Sequence, residues 1–146
     1  MADNFRVLVV DDEEGILDTL RRSLKMAGIR AHTAPGPLRA MDMLRENGYD
    51  LVITDIKMPE MTGVEFLQKI KSDNPLTQVI ILTGYSNIDY LVDCFEAGAA
   101  DFFPKPLKNT REIFLEAVRQ ALKKADRWRS GLSLCDGLKG GVHGQE

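Results

Sequence analysis

Apolar positions along the chain fall into two alternating patterns. Residues 7–10 (VLVV), 51–54 (LVIT) and 79–82 (VIIL) are unbroken aliphatic or β-branched runs, closed in one case by a threonine. Such runs predict strands covered on both faces, as in a parallel sheet. Between them apolar residues recur every three or four positions, at Ile16, Leu20, Leu24 and Ala27, then Leu38, Met41 and Leu44, then Leu67 and Ile70. That period predicts amphipathic helices. Ile88, Leu91, Val92 and Phe95 give a further stripe, with Ser86 placed as its N-cap and Gly98 at its end. In the last helix Asn109 and Glu112 read as a capping pair, followed by Phe114, Ala117, Val118, Ala121, Leu122, Ala125 and Trp128 along one face. Shorter strand signals at residues 29–33 and 101–103 complete five βα units.

Units of this kind, joined by right-handed crossovers, predict an open, doubly wound α/β sheet. Ligands of such sheets bind beyond the carboxyl ends of the strands, so those ends carry the candidate chemistry. The first strand ends in Asp11 and Asp12, the third in Asp55, the fourth in Thr83, and the fifth runs to Lys105 and Pro106. Neighbouring carboxylates repel and resist burial, so a cation is expected among them. Oxygen donors in this number suit magnesium, which manganese can replace. With that charge neutralised, Asp55 becomes a candidate carboxylate nucleophile for a phosphoryl group, with Lys105 supplying charge and Thr83 a hydrogen bond. His32 falls within a strand and His143 near the chain end, so a donor imidazole is expected from another protein.

The segments VLVVDDEEGI, LVITDIKMPEMTGVEFL, VIILTGYS and DFFPKP, in this order and spacing, resemble the receiver domain of two-component response regulators over about residues 5–127. The resemblance implies a flavodoxin-like, five-stranded parallel sheet of order 2-1-3-4-5 with five helices. It implies Asp55 as the phosphoacceptor, and Asp11, Asp12, Asp55 and the backbone carbonyl of Lys57 as magnesium ligands. Thr83 and Lys105 would hold the phosphoryl group, with a cis peptide between Lys105 and Pro106. Thr83 and Phe102 would form the switch, acting on a surface from Ser86 through Leu122. Receivers often carry tyrosine at the position of Phe102; without a phenolic hydroxyl, a switch here works by packing. Lys57 and Tyr85 would tune the lifetime of the phosphorylated state, Tyr85 by screening the acyl phosphate from water. The implied partners are a sensor histidine kinase or phosphotransfer protein, and a downstream protein or output domain, with homodimerisation on phosphorylation as one further outcome.

Length and composition narrow the alternatives. The 146 residues suit one domain with a tail: a receiver over residues 1–128, then a flexible, Gly-rich tail or linker over 129–146. With 19 Lys and Arg against 22 Asp and Glu there is no basic field for a phosphate backbone, so direct nucleic-acid binding is not expected. Neither a secretory signal nor a membrane-length apolar run is present, and a cytoplasmic, membrane-free protein is expected. Cys94 and Cys135 lack zinc or disulfide spacing and read as reduced thiols, and Gly63 and Gly84 read as turn residues. A switch rather than a turnover enzyme is therefore the leading reading. An unphosphorylated docking module is one rival. A phosphatase of the haloacid dehalogenase type is the other, although it needs Asp-x-Asp after the first strand and residues 55–57 read Asp-Ile-Lys on the third.

Overall fold

Five parallel strands form one sheet in the order β2-β1-β3-β4-β5: β1 (Val7–Val10), β2 (Ala31–Ala34), β3 (Leu51–Thr54), β4 (Gln78–Thr83) and β5 (Asp101–Pro104). A helix follows each strand: α1 (Glu14–Met26), α2 (Pro37–Glu46), α3 (Gly63–Asp73), α4 (Ile88–Glu96) and α5 (Arg111–His143). The structure is a computed structural model that describes residues 5–84 and 87–143.

The apolar runs are continuous because both faces of the central strands are covered. Val7, Val9, Leu51, Ile53, Ile80 and Leu82 point to one side, where they meet Leu17, Leu20 and Leu24 of α1 and Phe114 and Val118 of α5. Leu8, Val10, Val52, Val79 and Ile81 point to the other, against Met41 of α2, Phe66, Leu67 and Ile70 of α3 and Cys94 of α4. Alternate residues of one strand thus serve two cores. The register pairs Val10 with Ala34 on one side and Thr54 on the other, which brings the ends of β1 and β3 level.

Three local expectations differ from the structure. The N-cap of α4 is Asn87, whose side chain accepts from the Tyr90 N–H, while Ser86 lies outside the described residues. α5 opens at Arg111, with the Phe114 N–H donating to the Thr110 carbonyl at 2.8 Å, so the cap falls beyond Asn109. The apolar stripe of α4 is turned mostly outward: Ile88 is 73%, Val92 48% and Phe95 44% exposed. A nine-residue helix over the edge of the sheet seats one narrow line of side chains, and Cys94 occupies its fully buried position with Leu91 partly covered beside it.

The chain beyond Trp128 also departs from expectation. Residues 129–143, read as a flexible tail, continue α5 to His143. No proline interrupts this stretch, and each helical glycine costs only about 1 kcal/mol. Two contacts hold its base: Arg129 pairs with Asp50, next to β3, and the Lys124 ammonium lies 4.8 Å from the Trp128 ring centroid. Among the described residues no helix is long and apolar enough to cross a membrane.

Candidate functional site

The sheet order places the site. The chain passes from β1 to β2 on one side and returns to β3 on the other, so the crevice opens between the ends of β1 and β3. Asp11 and Asp55 follow those ends directly: the Asp11 N–H donates to the Ala34 carbonyl at 3.2 Å, and the Asp55 N–H to the Val10 carbonyl at 3.2 Å. Lys105 arrives from the end of β5, where its N–H donates to the Thr83 carbonyl at 3.0 Å and its peptide to Pro106 is cis. Its Nζ donates to Asp11 Oδ2 at 2.7 Å and to Asp55 Oδ2 at 2.8 Å. One ammonium therefore bridges two buried carboxylates from different strands.

The remaining oxygens are held by the backbone. Asp55 Oδ1 accepts from the Ile56 N–H at 2.7 Å and the Lys57 N–H at 3.1 Å, and Asp11 Oδ1 accepts from the Glu13 N–H at 2.9 Å. Burial raises the proton affinity of Asp55, but hydrogen bonds from Lys105, the Thr83 hydroxyl and the Lys57 N–H outweigh it and hold the carboxyl below its ordinary range. Asp11 goes the other way. Its burial prevails over the hydrogen bonds from Lys105 and Glu13, and its affinity is raised. For Lys105, burial is overcome by the bonds to Asp11 and Asp55, so the ammonium is retained more firmly than usual.

Asp12 is exposed, yet it offers a carboxylate oxygen within 4.8 Å of those of Asp11 and Asp55. With all three ionised, three negative charges face the single ammonium of Lys105, an excess of two. An all-oxygen set with that excess fits a hard divalent cation held by carboxylates and water. Thr83 is buried at the end of β4, and Phe102 is half-buried on the side of α3 and α4. The structure thus brings together Asp11, Asp12, Asp55, Thr83, Lys105 and the Lys57 backbone; Tyr85 lies outside the described residues.

Three supporting contacts escaped the sequence. Gly63, read as a turn residue, instead opens α3, where a β-carbon would come within 2.8 Å of the Ile56 Cα. Glu60 reaches across to the Leu38 N–H, 3.3 Å away at the start of α2. The Tyr90 hydroxyl accepts from the Val64 N–H at 3.2 Å. Met-Pro-Glu-Met-Thr-Gly, residues 58–63, belongs to a segment that carries the receiver resemblance, but none of the distant partners has a local signal.

Comparison with known proteins agrees with this geometry. Residues 7–119 match the family model described as the response regulator receiver domain. The chain is 42% identical over 101 residues to the transcriptional regulatory protein ZraR of Klebsiella oxytoca, covering 69% of this chain and 23% of that protein. It is 32% identical over 119 residues to the response regulator MprA of Mycobacterium sp. (strain KMS), covering 82% of this chain and 51% of the relative. The chain therefore spans between about a quarter and a half of these relatives. Among solved structures, a receiver domain protein from Clostridium thermocellum superposes with a TM-score of 0.78 at 32% identity, covering 85% of this chain and 98% of that one. The beryllofluoride-activated NtrC4 receiver domain dimer gives 0.76 at 34% identity, covering 86% and 99%. With sheet order, strand-end residues and family match in agreement, the chain belongs to the response regulator receiver domains of bacterial two-component signal transduction.

Proposed function

We propose that this receiver is a phosphorylation-dependent switch whose phosphoacceptor is Asp55. The observation that carries the reading is the bridge of Lys105 Nζ between Asp11 and Asp55, 2.7 and 2.8 Å long, with Asp12 beside it. In the reaction, an Asp55 carboxylate oxygen attacks the phosphorus of a phosphohistidine on a histidine kinase or phosphotransfer protein. A P–O bond forms as the P–N bond breaks, and the imidazole leaves with the electron pair and takes up a proton. Asp55 Oδ1 is engaged by two backbone N–H groups, so the oxygen on the Lys105 side is the one offered. Asp11, Asp12, Asp55 and the Lys57 carbonyl would hold magnesium, or manganese in its place, which neutralises the charge of the transferring group.

Lys105 pairs with the phosphoryl oxygens, and Thr83 donates its hydroxyl to one of them. Thr83 moves inward as it does so, and the half-buried Phe102 repacks behind it. The effect is read on α4, β5 and α5, where Ile88, Val92 and Phe95 already stand exposed. That face controls a downstream protein or an output domain, or pairs with a second copy, as the NtrC4 receiver forms a dimer. Lys57 and Tyr85 set the lifetime of the acyl phosphate.

Intact mass after incubation with acetyl phosphate tests the assignment. A single phosphoryl adduct is expected on the wild type with magnesium, and none with EDTA or in Asp55→Asn. Absence of the adduct in the folded wild type, with a known receiver labelled in parallel, would leave the docking-module reading.

A further inference from the structure

Tyr90 joins the start of α4 to the start of α3. The first N–H groups of a helix have no partner within it and need one from outside. In α3, the Glu65 N–H is taken by the Thr62 hydroxyl at 3.1 Å and the Phe66 N–H by the Thr62 carbonyl at 3.0 Å. The Val64 N–H is taken by the phenol oxygen of Tyr90, a residue of another helix 26 positions along the chain. The Tyr90 N–H is itself fixed, donating to the Asn87 N-cap oxygen at 3.1 Å, so the ring is tied to the first turn of α4.

The segment it grips is the one that shapes the site. Residues 56–62 give two N–H groups to Asp55, close on themselves through the Lys57–Thr62 bridge and enter α3 at Gly63. Tyr90 lines a pocket with Lys57, Met58 and Thr62 of this segment and Glu65 of α3. Two routes therefore lead from Asp55 to α4, one along β4 through Thr83 and one through the loop and the Tyr90 phenol.

We propose that the Tyr90 hydroxyl is a latch that caps α3 from α4 and holds α4 in its unphosphorylated seat, so that displacement of α4 must release the Val64 N–H. This rests on the phosphorylation reading above. Tyr90→Phe keeps the ring and removes the latch, and is tested in the full chain by amide NMR and hydrogen exchange, with wild type recorded before and after acetyl phosphate and magnesium. Exchange at Val64 is expected to quicken about five-fold. The α4 amides of unphosphorylated Tyr90→Phe are expected between the two wild-type positions, and labelling by acetyl phosphate is expected to be several-fold faster. α4 amides unmoved from the unphosphorylated wild-type positions would overturn the latch. Wild-type amides that ignore acetyl phosphate would instead overturn the phosphorylation reading, and a quickened Val64 exchange in the same experiment would still report the cap.

Discussion

Gly63 meets Ile56 so closely that a β-carbon on the glycine would lie 2.5 Å from Ile56 Cβ and 2.8 Å from its Cα. Ile56 is buried next to Asp55, so α3 is pressed against the strand end that carries the central carboxylate. Backbone in this position has nowhere to retreat. Gly63→Ala is expected to cost about 1–3 kcal/mol by overpacking, read as a lower urea midpoint at unchanged slope. Gly36→Ala is the control. There the near atom is Glu60 Oε1 at 2.6 Å, the end of a movable side chain, and the expected loss is under about 1 kcal/mol. Equal losses in the two variants would contradict this account.

In metal-free protein the two buried aspartates are expected to take up their protons on opposite sides of the ordinary carboxylate value. Asp11 is raised by burial, so on acidification it takes up its proton above the ordinary value of 3.8. There the native state binds more protons than the unfolded chain, and stability rises as pH falls. Burial of Asp55 is outweighed by its bonds to Lys105 and Thr83, and its proton arrives below 3.8. The stability this carboxylate contributes is present above 3.8 and is lost as pH falls through its depressed pKa. Carboxyl carbon NMR in EDTA would follow both groups, and protonation of Asp55 before Asp11 would refute the ordering.

Under the proposed assignment the Lys105 ammonium and the cation share the carboxylates of Asp11 and Asp55. Its ammonium occupies Asp11 Oδ2 and Asp55 Oδ2, so Lys105→Met exposes both to metal without changing the ligands. Magnesium affinity by calorimetry is expected to rise roughly ten-fold, equivalent to about 1.4 kcal/mol. In EDTA the variant is expected to be less stable than the wild type, because two buried carboxylates lose their cation. Unchanged affinity would contradict competition between the ammonium and the cation.

The two thiols are expected to react very differently. Cys94 is buried on the core side of α4, and burial, reinforced by Asp93, pushes its pKa up to about 11, whereas Cys135 is exposed. A thiol-disulfide reagent at pH 8 should modify one cysteine quickly and the second only on denaturation. Because the native thiol is the weaker acid, the stability it contributes falls as pH rises from about 9 to about 11. Two fast thiols in the native protein would contradict the burial of Cys94.

Strands β1, β3 and β4 were legible because double coverage leaves an unmistakable apolar run. The strand-end residues were legible for a related reason, since topology confines chemistry to one edge of the sheet. The face of α4 was not. Periodicity locates apolar side chains on a helix, but whether Phe95 or Cys94 is buried depends on where the edge of the sheet lies beneath it. Gly63 against Ile56 and Tyr90 on Val64 are meetings of distant segments and leave no local mark. The length of α5 was misread from composition, because glycines that suggested a linker are tolerated in a helix otherwise free of breakers.

The overlong α5 gives the domain a lever. From Ala125, which is buried in the core, to His143 the helix runs about 27 Å at 1.5 Å per residue. A tilt of about 5° where the helix rests on the sheet would sweep the far end through roughly 2 Å over that length. The Arg129–Asp50 pair braces the base of this arm, at the opposite end of β3 from Asp55. A small repacking of the face shared by β5 and α5 would thus become a larger excursion at the end of the arm, with an amplitude set by how long the helix stays unbroken.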